Sequence, residues 1–119
     1  MRYKYRVLQS PMCGCSDLAF RELAREHGCE LAFCEMVKDD AVVRGNEKTR
    51  HLLATGAFDH PLGMQLVGRE PATMAEAARV LESLGADEVN VNLGCPVPKI
   101  VKGGCGAALL REPEQVGRI

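Results

Sequence analysis

Apolar runs alternate with helix-spaced apolar positions along the chain. From Arg2 to Gln9 the pattern has period 2, with Arg2, Lys4 and Arg6 on one face and Tyr3, Tyr5 and Val7 on the other; this predicts a strand. Ser16 or Asp17 supplies an N-cap for a helix running to about His27, and Gly28 stops it. Its Phe20, Leu23, Ala24 and His27 stand at i, i+3, i+4 and i+7, one face of a helix. The short apolar segment from Leu31 to Glu35 predicts a buried strand. A second helical stretch begins near Asp39 and Asp40 and fades by Gly45. Leu62 to Val67 predicts a third strand. The clearest helix follows, with Pro71 at its start, Thr73 and Glu76 in capping-box spacing, and Met74, Ala77, Ala78, Leu81 and Leu84 as its apolar stripe. Gly85 ends it, and Ala86 to Val91 predicts strand four. A loop through Cys95 and a glycine-rich segment at 102–106 come next, then Ala107 to Leu110. Residues 112–119 open another helix.

Strand centres fall about 25–31 residues apart, the spacing of β/α units joined by right-handed crossovers into a parallel sheet. About four such units are present. They form the N-terminal half of a TIM (β/α)8 barrel, which takes ~250 residues in full, or else a complete small open α/β sheet. The helix opening at 112–119 meets no stop signal, so the chain is expected to be the N-terminal part of a longer protein.

Composition narrows the class. The chain has 119 residues, 46% of them hydrophobic, enough to bury a core. Fifteen Lys and Arg oppose 16 Asp and Glu, a formal charge of −1, which neither demands nor excludes a nucleic-acid partner. No run of ~18 apolar residues predicts a membrane span, and the charged start lacks the apolar core of a secretory signal. Six cysteines stand at 13, 15, 29, 34, 95 and 105. They are embedded in apolar segments without zinc-like pairing, so most read as small buried hydrophobes in a reducing cytoplasm.

Parallel β/α sheets bind ligands at the carboxyl ends of their strands. Those ends carry Ser10 to Asp17, Glu35 to Lys38, Gln65 with the turn after Val67, and Asn92 to Lys99. Four of these segments occur in a telling order: Ser10-Pro-Met-Cys-Gly-Cys-Ser-Asp-Leu-Ala-Phe-Arg21, Glu35-Met-Val37, His60-Pro-Leu-Gly-Met-Gln-Leu-Val-Gly68, and Asn92-Leu-Gly-Cys-Pro96 with Gly104-Cys-Gly-Ala-Ala-Leu-Leu110. Together they resemble the N-terminal half of a bacterial tRNA-dihydrouridine synthase, across essentially the whole chain. Dihydroorotate dehydrogenase-like flavin barrels carry a related Asn-x-x-Cys-Pro, typically without the glycine-rich continuation.

The resemblance implies an FMN-dependent TIM barrel with a C-terminal helical domain, making dihydrouridine in tRNA with NADPH as reductant. It implies that Pro11, Met12 and Cys13 line the flavin, that Gln65 hydrogen-bonds its ring, that Asn92 helps hold flavin or uracil, and that Cys95 donates the proton. A thiol with an ordinary pKa of about 8.5 keeps its proton at neutral pH and can give it to a carbanionic carbon. Taken singly, these residues have plainer readings. Cys95 is also compatible with a structural thiol, Gln65 with a backbone cap, Asn92 with turn chemistry and Glu35 with a buried hydrogen-bond partner. Lys99 and Lys102 read as solvated lysines, and Cys105 has no assigned role. Asn90 stands where the family often has Asp, and Cys13 where it usually has Ala. The family's later flavin contacts, phosphate-binding glycines and tRNA-binding domain lie beyond Ile119, so the isolated chain is expected to hold FMN poorly and to be inactive alone. Its open sheet edges invite self-association. The alternatives are an inert or self-associating truncated half-barrel, another flavin barrel of the dihydroorotate dehydrogenase type and, last, a thiol or metal module at Cys13 and Cys15.

Overall fold

Five strand segments lie parallel in one sheet: β1 (Leu8–Gln9), β2 (Leu31–Phe33), β3 (Val37–Lys38), β4 (Leu62–Val67) and β5 (Glu88–Val91). They belong to a computed structural model that describes residues 4–119. β1 pairs with β2, and β4 lies between the β2–β3 segments and β5. Helix α1 (Leu18–Glu26) makes the first crossover, α2 (Asp39–Arg44) and α3 (Glu47–Leu52) the second, and α4 (Pro71–Ser83) the third. After β5 come α5 (Pro98–Lys102), a 3-10 turn at Gly106–Arg111 and α6 (Pro113–Arg118).

β2 and β3 are one strand interrupted by a bulge. Phe33 pairs with Gly63 and Val37 with Leu66, so four steps on one strand oppose three on the other. The extra residue keeps both Cys34 and Val37 in the core and leaves Glu35 and Met36 between them. Four strand positions in sequential order remain, as the spacing predicts.

Side chains alternate across β4. Leu62, Met64 and Leu66 enter the core with Met74, Ala77 and Leu81 of α4 and Val42 of α2. Gly63 and Gln65 point to the opposite face. The Phe33 ring lies so close over Gly63 that a Cβ there would fall 2.2 Å from it. Leu81 is fully buried, and its truncation to Ala is expected to cost about 2–5 kcal/mol.

Several expectations need correction. The first strand is short: residues 4–7 are not in the sheet, and Met1 to Tyr3 lie outside the described residues. Pairing stops because the Glu30 and Leu31 N–H groups meet Val7 O, while the Glu30 carboxylate takes the Arg6 N–H. The apolar face assigned to α1 is not buried: Phe20 and Leu23 are exposed, and the residue facing inward is Arg21. The capping box does not form, since α4 begins at Pro71, two residues before Thr73, with no side-chain cap. Strand four begins at Glu88 rather than Ala86, α5 forms within the loop expected after it, and α3 occupies a stretch for which no element is predicted. The Asp17 cap is observed, its carboxylate accepting from Phe20 N at 2.8 Å. The helix stops at Gly28, Gly45 and Gly85 all have positive φ.

Candidate functional site

Three side-chain amides meet at the carboxyl ends of β4 and β5. Gln65 and Asn90 are register partners, so their side chains share one face of the sheet. Gln65 Nε2 donates to Asn90 Oδ1 at 2.7 Å, and Asn92 Nδ2 donates to Gln65 Oε1 at 2.9 Å. Asn92 Oδ1 accepts from the backbone N–H groups of Cys95 at 2.9 Å and Gly94 at 3.2 Å. Asn92 N is itself fixed to Leu66 O at 2.8 Å.

The backbone settles how every amide in this row is turned. A peptide N–H can only donate, so the Asn92 atom facing Gly94 and Cys95 must be oxygen. The Asn92 atom facing Gln65 is then nitrogen, and Gln65 must answer with oxygen. Gln65 therefore presents nitrogen to Asn90, which must answer with oxygen. All three oxygens are engaged within the row. Each nitrogen keeps at least one N–H beyond these bonds.

Cys95 sits half-buried on the loop that Asn92 holds. Its carbonyl accepts from Ala107 N at 3.1 Å. Gly106, with φ +58°, lets the two segments meet: a Cβ there would fall 2.7 Å from Cys95 O. Arg69, in the turn after β4, reaches the glycine-rich segment at Gly104 O, 3.4 Å away, and the residues that follow it. Arg69 makes a two-pronged bond to Glu112 at 2.9 and 2.8 Å, and Gln115 Nε2 donates to Arg69 O at 2.8 Å. The hydrogen bond and charge of Glu112 raise Arg69 above the ordinary guanidinium range, and Arg69 in turn lowers Glu112.

Pro11, Met12 and Cys13 form a second group, on the loop after β1. Buried Ser16 holds this turn, its hydroxyl accepting from Met12 N at 2.7 Å and donating to Met12 O at 3.0 Å. Glu35, aimed from the bulge, accepts from Gly14 N at 2.9 Å. Beneath lies a buried ionic knot. Arg21 and Asp59 are both fully buried and 2.7 Å apart, Arg25 approaches the same carboxylate at 3.1 Å, and Arg21 NH1 donates to Ser16 O at 2.8 Å. Met12 and Cys13 are exposed above it.

The structure thus joins Gln65, Asn92 and the Cys95 loop by hydrogen bonds and supports Pro11, Met12 and Cys13 separately. Glu35 is the buried hydrogen-bond partner its plainer reading describes. Ser16, Arg21, Asp59, Arg69 and Glu112 were not singled out as site residues, because each gains its role from a partner distant in sequence or from the backbone. Among the other thiols, burial pushes Cys34 up to about 11 and raises Cys105, so neither is a ready thiolate. Cys13 and Cys15 are free and exposed. Among the described residues, no group of three or more His, Cys, Asp and Glu is placed to hold a metal ion, and no helix is long and apolar enough to cross a membrane. An apolar hollow of about 610 Å³ beside α2, α3 and α4 includes none of the rim residues.

Four parallel β/α units with polar side chains gathered at the carboxyl rim make up the N-terminal half of a TIM barrel. The chain belongs to the dihydrouridine synthase family: residues 8–119 match the profile described as "Dihydrouridine synthase (Dus)". It is 39% identical over 114 residues to a probable tRNA-dihydrouridine synthase of Treponema pallidum, covering 95% of this chain and 34% of that protein. It is 40% identical over 114 residues to a namesake from Rhizobium leguminosarum, covering 96% and 36% respectively. Against tRNA-dihydrouridine synthase B of Pseudomonas aeruginosa it is 37% identical over 114 residues, covering 96% and 34%. The chain spans about a third of the length of these relatives.

Proposed function

We propose that these residues form the N-terminal part of a tRNA-dihydrouridine synthase active site, which reduces the C5=C6 bond of uridine in tRNA. The observation that carries this reading is the row Asn90–Gln65–Asn92 ending on the Cys95 backbone. It ties the loop that carries Cys95 to a surface of amide N–H donors. Such a surface suits the carbonyl oxygens of an isoalloxazine or a uracil, and N1 and N5 of an oxidised isoalloxazine, which are acceptors. The donor set fits FMN as the cofactor, and the family resemblance adds NADPH as its reductant.

When bound, the flavin supplies the hydride that reaches C6 of the base. Gln65 orients the flavin ring through its N–H. Cys95 gives the proton to C5, and Asn92 holds the Cys95 loop while offering its remaining N–H to flavin or uracil. Pro11, Met12 and Cys13 line the flavin from the β1 side, with Cys13 contributing backbone. This reading puts the other half-barrel, its phosphate anchor and a helical tRNA-binding domain outside these 119 residues, so the chain alone is expected to retain little FMN. A tRNA substrate makes the cytoplasm the place of action.

The test is product analysis. The protein with its complete barrel, given FMN, NADPH and unmodified tRNA, is expected to form dihydrouridine. Reduction of a free pyrimidine with tRNA left untouched would instead indicate a dihydroorotate dehydrogenase-type barrel.

A further inference from the structure

We propose that Asn90 is a positioning residue that locks the Gln65 amide with nitrogen toward Asn90, and that this orientation is dictated from the Cys95 loop. The inference deepens the flavin reading and rests on it only where a ligand is concerned. Three observations carry the relay: the two backbone N–H groups on Asn92 Oδ1, the 2.9 Å bond from Asn92 to Gln65, and the 2.7 Å bond from Gln65 to Asn90. An isolated glutamine amide can present either end, because its two orientations have the same shape. Here Asn92 specifies the orientation of Gln65, and Asn90 holds it by turning its own oxygen to the Gln65 nitrogen. Asn92 demands its oxygen and Asn90 accepts its nitrogen. The exposed donor edge of Gln65 is therefore coupled to the position of the loop that carries the thiol. Asn90 contributes no charge to this row and adds its own free N–H groups to the donor surface.

The relay makes an unusual demand of two acidic substitutions. Asn90→Asp still accepts from Gln65 and should preserve the orientation. Asn92→Asp still accepts from Gly94 and Cys95 but can no longer donate, so Gln65 must turn its nitrogen toward position 92 and its oxygen toward Asn90, whose amide turns in response. A merely space-filling role for either asparagine predicts no reversal.

The experiment is nuclear magnetic resonance of isotope-labelled protein, reading couplings across hydrogen bonds between side-chain nitrogen and amide or carboxylate carbon. Wild type should show a coupling from Asn92 nitrogen to the Gln65 amide carbon and from Gln65 nitrogen to the Asn90 carbon. Asn90→Asp should keep both. Asn92→Asp should replace them with a coupling from Gln65 nitrogen to the carboxylate carbon at position 92. Unreversed couplings in Asn92→Asp, or loss of the wild-type couplings in Asn90→Asp with an intact fold, would overturn the relay. FMN titration of the complete-barrel protein is the second arm. Asn90→Ala should weaken FMN binding about 5- to 10-fold, the worth of about one hydrogen bond, and Asn90→Asp should bring the affinity back toward wild type. Equal affinity in wild type and Asn90→Ala would overturn the positioning role. The predicted couplings in a complete barrel that binds no FMN would support the relay and overturn the flavin reading.

Discussion

Gly106 has a positive φ of 58°, and its missing side chain leaves room for the carbonyl of Cys95. Gly106→Ala must strain the backbone and push the Cys95 segment away, a cost of about 1–3 kcal/mol. Its thermal unfolding midpoint should fall by several degrees, and proton donation should suffer with it. Cys95→Ala acts differently. It should leave the fold and flavin retention intact while slowing dihydrouridine formation by about 10²- to 10⁴-fold, the usual worth of a positioned acid. At this scale the sequence was informative where a residue sits in a compact motif. Gln65, Asn92 and Cys95 all lie in such segments, and two of them are joined through Gln65–Asn92 pairing. Ser16 and Glu35 acquire their roles only when the β1 loop folds against the bulge after β2, a meeting no local pattern announces.

Helix α1 shows how an element can be recognised while its buried face is misread. The Asp17 cap and the Gly28 stop are local chemistry and are legible from composition alone. The inward face is decided by Asp59, which draws Arg21 and Arg25 beneath the helix and leaves Phe20 and Leu23 at the surface. Asp59→Ala would leave the fully buried Arg21 without its countercharge, so a loss of about 3–5 kcal/mol is expected in chemical denaturation. The loop at Met12 should loosen at the same time, because Arg21 also holds Ser16 O. A second polar contact ties the start of β4 to the start of β5. Asp87 accepts from His60 Nδ1 and from Leu62 N, both at 2.7 Å. The His60 bond first, then the backbone bond, holds its carboxyl below the ordinary carboxylate range. A depressed folded pKa stabilises the protein above the unfolded value of about 4 and ceases to do so as pH falls through the folded value. Acid titration of the melting temperature should therefore show a small loss below about pH 4, and Asp87→Asn should flatten that part of the curve. Both side chains are more than a third exposed, so the effect is modest.

At the scale of the whole molecule, the sheet ends, among the described residues, on unpaired edges at β1 and β5. Val7 and Leu8 at the first edge, with Phe20 and Leu23 of α1, are large exposed hydrophobics. The 119-residue chain is accordingly expected to self-associate, with a concentration-dependent elution volume that Leu23→Lys shifts toward the monomer. The parallel class and the four strand positions followed from spacing, since each apolar segment and each crossover helix leaves its own periodicity. The bulge did not, because one inserted residue between Cys34 and Val37 changes register without changing composition. The short α3 and α5 escaped because their amphipathic repeat is too brief to rise above loop chemistry. The central claim is that this rim, completed by the rest of its barrel, reduces uridine in tRNA with Cys95 as proton donor. The most direct test is dihydrouridine content of unmodified tRNA after incubation with FMN, NADPH and either the wild-type or Cys95→Ala full-barrel protein. The account predicts dihydrouridine with wild type and almost none with a Cys95→Ala protein that still carries flavin. Equal product from the two proteins, or none from wild type with flavin bound, would contradict it.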